Sequence, residues 1–223
     1  MVSATAESFA DARTRMVNSQ LRPARVTDPR VIAAMHELPR ERFLPPNRVA
    51  LAYADEDVPL GNGRVLIEPR VIARMVQLAE VVDGDRALVV GSGTGFGAAL
   101  LAACGARVTA LEDDPALQAV AEAAISAVAP GVSLVSGPLA AGWAAGAPYD
   151  VILIEGAVRE IPPAIAAQLR IDGGRLVALI RGLGGPTQAV LAEATPAGLR
   201  AQAMFDCGTP AIPSLLPAPA FQF

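Results

Sequence analysis

Two hydrophobic periods divide this chain. In its first third, apolar residues recur every three to four positions, as on one face of a helix. Met1 to Met16, which includes Glu7, Asp11, Arg13 and Arg15, reads as an amphipathic helix and not as a signal peptide. Thr27-Asp28-Pro29 joins a cap to a first-turn proline, and Val31, Ile32, Met35 and Leu38 follow at helical spacing. The spacing predicts a helix over Asp28–Leu38. Pro39, Pro45 and Pro46 break the chain, and the acidic cluster Asp55-Glu56-Asp57 precedes Pro59 and Gly61. Glu68-Pro69 starts another helix, carrying Val71, Ile72, Met75, Val76 and Leu78.

From residue 84 the pattern changes to short apolar runs separated by helical stretches. Strands are predicted at Ala87–Val90, Val108–Leu111, Val132–Val135, Val151–Ile154 and Leu176–Ile180. Helices are predicted from Ala98 to Ala103, from Ala116 to about Val128 behind Asp113-Asp114-Pro115, and from Pro162-Pro163 to Leu169. Thr187–Ala194 and Leu199–Phe205 flank Pro196-Ala197-Gly198 and read as a hairpin. Strands alternating with helices imply a mostly parallel sheet covered on both faces, with the hairpin as an antiparallel edge. The expected organisation is one compact domain: a helical segment 1–70, an α/β unit 71–206 and an apolar, proline-rich tail 207–223. After Asp206 the tail carries no charged side chain; Pro210, Pro213, Pro217 and Pro219 keep it extended, and Leu215, Leu216, Phe221 and Phe223 make it apolar. It reads as a strap over the core or cleft, with docking to a partner or a second subunit as the alternative.

Composition narrows the class. The chain has 223 residues, long enough for a full core. Apolar residues are 52% of it but aromatics only 4%, so Ala, Val, Leu and Ile must build that core. A net charge of −4 argues against a nucleic-acid binder. The apolar stretch Ala87–Ala106 is broken by five glycines and is not a membrane span. Cys104 and Cys207 lack metal spacing and read as buried thiols in a reducing cytoplasm. His36, the single histidine, reads as a surface or satisfied helix residue, and no metal constellation surrounds it.

The chemistry centres on Gly91-Ser92-Gly93-Thr94-Gly95, between a strand and a helix. Such a turn brings bare backbone against a nucleotide. A dinucleotide fingerprint needs Gly-x-Gly-x-x-Gly, and its sixth position here is Phe96, so the spacing points away from NAD and toward S-adenosylmethionine. Glu112 ends the next strand about twenty residues on, where an acid accepts hydrogen bonds from both ribose hydroxyls. Its plain alternative is a solvated strand end. Asp113 and Asp114 read as helix caps.

Residues along nearly the whole chain resemble the protein-L-isoaspartate O-methyltransferase family. The resemblance runs through Arg15 to Arg22, Asp28 to Phe43, Tyr53, Asp55, Pro59, Gly61, the glycine loop, Glu112, Gly142-Trp143, Ala147 to Asp150 and Asp172 to Val177. It implies a class I S-adenosylmethionine-dependent methyltransferase fold, Rossmann-like, with a seven-stranded sheet and the N-terminal segment on the substrate side. It implies S-adenosylmethionine on Gly91, Ser92, Gly93, Gly95, Glu112 and Gly137. The implied activity is methyl transfer to the free carboxylate of isoaspartyl residues in damaged proteins, beginning their repair.

Several positions depart from that pattern. The family's active-site motif, Thr-x-Ser-x-Pro, stands here as Val65-Leu66-Ile67-Glu68-Pro69, so neither hydroxyl is present and Glu68 adds a charge. Val89 stands where the family has an acid before the loop, and Gly137-Pro138 replaces Gly-Asp after the third strand. Glu155 stands at the end of the fourth strand, expected as a solvated rim residue, with an acid–base role as the alternative. Three readings stay open: a working isoaspartyl methyltransferase, a non-catalytic relative binding a nucleoside or protein partner, and a methyltransferase with a changed substrate.

Overall fold

A computed structural model describes residues 8–182 and 184–216. Seven strands form one sheet: β3 (Arg86–Val90), β4 (Arg107–Glu112), β5 (Ser133–Ser136), β6 (Val151–Val158), β7 (Arg175–Arg181), β8 (Thr187–Thr195) and β9 (Gly198–Cys207). Their order across the sheet is β5-β4-β3-β6-β7-β8-β9. The pairs from β5 through β7 are parallel, and β8 and β9 add antiparallel strands at one edge. This is the expected class I methyltransferase-like architecture. A separate hairpin of β1 (Val58–Gly61) and β2 (Arg64–Leu66) precedes it.

The central strands β3, β6 and β7 are buried on both faces, which is why they are near-continuous apolar runs, whereas the edge strands β5 and β9 are largely exposed. Along β3, Ala87 and Val89 join one apolar cluster, and Leu88 and Val90 join another on the opposite face. The first cluster also holds Met16, Leu21, Val31, Met35 and Phe43 from the N-terminal region. Those residues come from α1 (Phe9–Met16), the π-helical turn Val17–Leu21, α2 (Pro29–Glu37) and the turn that follows. Of the predicted N-terminal helix, residues 1–7 lie outside the described residues. α3 (Pro69–Leu78) and α4 (Phe96–Ala103) pack into the same cluster.

Three elements differ from expectation. β6 runs on to Val158 through an irregularity between Leu153 and Ala157. α6 covers only Pro163–Ala166, because Leu169 leaves the helix to bridge Tyr149. The β1–β2 hairpin was not foreseen. α5 (Pro115–Val128) is capped by Asp114, whose side chain accepts from the Ala116 and Leu117 amides. Among the described residues no helix is long and apolar enough to cross a membrane.

Candidate active site

The parallel strands β3, β4 and β6 end side by side, and the crevice beyond their carboxyl ends is where an open α/β sheet holds its ligands. Gly91, Gly93 and Gly95 all have positive φ (68°, 56° and 93°), a region that side chains penalise. The amides of Gly91 and Ser92 both donate to the Leu111 carbonyl, at 2.9 and 3.0 Å, which pins the loop to the end of β4. Glu112 stands there, 1% exposed. Its carboxylate accepts from the Gly93 amide at 2.6 Å and from the Asp113 and Asp114 amides at 3.0 Å.

Glu112 has one more partner. Arg64 donates through Nη1 to Oε1 at 2.8 Å and through Nη2 to Oε2 at 3.1 Å, a two-pronged pair buried on both sides. Arg64 Nη2 also donates to the Gly91 carbonyl at 2.7 Å. The β1–β2 hairpin delivers this side chain. Its Asn62-Gly63 turn has positive φ at both positions (50° and 73°), and Asn62 donates to the Asp114 carboxylate at 2.8 Å. The sequence reading did not single out Arg64; Asn62-Gly63 between Pro59-Leu60 and Val65-Leu66 was the signal that could have found its hairpin.

A second group fills the crevice from the C-terminal side. The Ala157 amide donates to Pro210 O at 3.0 Å, and the Ile212 amide donates to Ala157 O at 2.8 Å, so residues 210–212 run beside the end of β6. Ile212, 2% exposed, lies over the backbones of Gly91 and Gly156, and a Cβ at either glycine would collide with it. The described part of the tail is thus a strap, while residues 217–223, with Pro217, Pro219, Phe221 and Phe223, lie outside the described residues.

The motif positions follow Arg64 along β2 and the turn before α3. Val65 is half-buried, whereas Ile67 is buried and packs in the core cluster. Glu68 is also buried, and burial pushes its carboxyl up from the usual range. Arg70 Nε donates to its Oε1 at 3.1 Å, and Asp57 accepts from the Glu68 backbone amide at 2.8 Å. Arg40, 1% exposed, ties the stretch to the loop: it donates to the Ile67 and Ala52 carbonyls and stacks on Phe96, with its carbon Cζ 4.8 Å from the ring centre. Burial lowers its pKa to about 10.

Glu155 corrects the expectation of a solvated rim residue. It is 6% exposed, because the start of α4 at Gly97 packs directly on its carboxyl. Burial raises its pKa to about 8; Arg64, the Gly97 amide and Arg40 work against that rise. Gly137 follows β5 beside Leu111 and Trp143, and Val89 is wholly buried. His36 is exposed, with Nε2 3.1 Å from the Thr14 hydroxyl. Cys104 and Cys207 are free thiols. No cluster of three or more potential metal ligands occurs among the described residues.

Sequence comparison decides the ancestry. Residues 12–194 match the family model for Protein-L-isoaspartate(D-aspartate) O-methyltransferase. The chain belongs to this family. It is 41% identical over 177 residues to Protein-L-isoaspartate O-methyltransferase 1 of Rhodopseudomonas palustris, covering 79% of this chain and 72% of that one. It is 42% identical over 178 residues to the Methylorubrum extorquens enzyme of the family, covering 80% and 78%. Among solved structures, a protein-L-isoaspartate O-methyltransferase superposes with a TM-score of 0.80 at 23% identity, over 91% of this chain and 67% of that one. A Plasmodium falciparum structure described as a family member in complex with S-adenosyl-L-homocysteine gives 0.74 at 16%, over 94% and 100%. These last two speak for the fold.

The backbone frame of the crevice fits a nucleoside cofactor, and the Ser92 and Thr94 hydroxyls, buried without partners, leave polar capacity beside the loop. The contents of the crevice do not fit one in this conformation. Arg64 and Ile212 stand against Glu112 and Gly91, the acceptor and the bare backbone that such a ligand would use.

Proposed function

We propose that this chain is an S-adenosylmethionine-dependent methyltransferase acting on the free carboxylate of isoaspartyl residues in damaged proteins. Family membership along residues 12–194 carries this reading, with the glycine loop and Glu112 at adjoining strand ends as support. S-adenosylmethionine, when bound, supplies a sulfonium methyl that a carboxylate oxygen takes without further activation. The protein's task is then positioning and electrostatics. Gly91, Ser92, Gly93, Gly95, Glu112 and Gly137 are the residues assigned to hold the donor. Val65, Ile67 and Glu68 stand at the acceptor side, with residues 1–70 as the substrate-side segment, 71–206 as the methyltransferase unit and 207–223 as the tail. Neither Val65 nor Ile67 offers a hydrogen bond to a carboxylate, so the expected turnover is low. The reading is of a cytoplasmic protein with a protein or peptide substrate and no nucleic-acid partner.

The second reading starts from the occupied acid: a ribose diol must displace Arg64 from both Glu112 oxygens before it can bind there. The Arg64–Glu112 pair therefore favours, as the alternative, a family member that has lost donor use and serves as a binding protein. The test is methyl transfer from several-millimolar donor to an isoaspartyl peptide, against the same peptide with ordinary aspartate. Slow transfer to the isoaspartyl peptide alone is expected; no transfer to it selects the alternative.

A further inference from the structure

We propose that Arg64 and Ile212 form an internal plug that competes with the nucleoside end of the methyl donor for Glu112 and Gly91, and so set the donor affinity of this chain. The inference rests on the donor-binding reading above and adds the residues that govern it. Glu112 is already satisfied: Oε1 accepts from Arg64, Asp113 and Asp114, and Oε2 from Arg64 and Gly93. A ribose diol and a two-pronged guanidinium need the same two oxygens, so they exclude each other. Ile212 holds the other half of the crevice, its Cδ1 lying 2.9 Å from where a Gly91 Cβ would stand. Leu139 closes the same space from a third side, its Cδ1 3.5 Å from that point.

The plug is carried by two elements outside the seven-stranded sheet. Arg64 rides on the β1–β2 hairpin, whose turn is fastened by the exposed Asn62–Asp114 bond. Ile212 rides on a strap held to β6 by two backbone hydrogen bonds at Ala157. Either element can withdraw while β3, β4 and β6 keep their pairing, because none of those ladders runs through the plug. The unpartnered hydroxyls of Ser92 and Thr94 lie in the loop that the plug covers. Donor affinity is then the intrinsic affinity reduced by the fraction of molecules with the plug withdrawn.

The test titrates S-adenosyl-L-homocysteine into the full chain by calorimetry, with Trp143 fluorescence as a second readout from beside Gly137. Wild type, Arg64→Gln, Ile212→Ala and the double variant are compared, each checked for folding by thermal melting. Ile212→Ala keeps the Arg64–Glu112 pair and reads the Ile212 half alone, and Arg64→Lys, which cannot bridge both Glu112 oxygens, stands in if Arg64→Gln does not fold. The expected result is weak binding by wild type, a smaller gain with Ile212→Ala and at least tenfold tighter binding by the folded Arg64 variants. Equal, tight binding by wild type and variants overturns the plug and leaves the donor-binding reading intact. Binding by none of them overturns both.

Discussion

Glu155 places a carboxyl group where water does not reach, and its consequence is a pH dependence of stability. Its ordinary value is 4.5 and its folded value about 8, raised by burial. Below pH 4.5 it is protonated in both states and contributes no difference. Between 4.5 and 8 the unfolded chain releases the proton first, so rising pH favours unfolding. The full penalty, on the order of a few kcal/mol, is reached above pH 8. Glu155→Gln is therefore expected to melt higher than wild type at pH 8, with a gain much smaller at pH 5. At Val65 and Ile67 the missing groups are hydroxyls, and Val65→Thr with Ile67→Ser is expected to raise isoaspartyl peptide methylation severalfold. Equal initial rates would show that the acceptor is held elsewhere. Because Ile67 is buried in the core, that variant also loses some stability, read in the same melts. Glu112 was legible because strand, glycine turn and acid follow at fixed spacing. Arg64 was not: one arginine after a turn has no periodicity, and only the folded hairpin brings it 48 positions along the chain to Glu112.

Elements were legible where a local cause sets their ends. Asp114-Pro115 starts α5 because aspartate satisfies free amides and proline needs no donor in the first turn. Asp114→Ala is expected to cost about 1 kcal/mol, seen as a lower urea midpoint with unchanged slope. That loss also frees Asn62, loosening the hairpin that carries Arg64. α6 was read too long because its early end is set from outside, by the Leu169–Tyr149 bridge. The extension of β6 was hidden for a similar reason: Gly156, at φ 149°, interrupts the apolar run, yet the strand continues through the irregularity. Glu155 was misplaced for the same cause, since a strand taken to end at Ile154 leaves the next side chain in solvent.

Across the whole molecule, alternation of strands and helices announced the parallel sheet, but strand order is chosen by packing partners distant in sequence. The N-terminal helices share one apolar cluster with β3, α4 and β7. A single unfolding transition is therefore expected, with far-UV circular dichroism and Trp143 fluorescence coincident; two separated transitions would show that residues 1–70 unfold alone. Ionic strength divides the charges of this molecule into two groups. Arg70–Asp55, with side chains 49% and 48% exposed, sits within reach of counter-ions and fades as salt is added. Arg64–Glu112, with side chains 6% and 1% exposed, does not. Molar salt shortens the screening length to about 3 Å in water but leaves a pair without water between its members nearly untouched. The crevice of this chain is thus closed by a charge that salt cannot wash out.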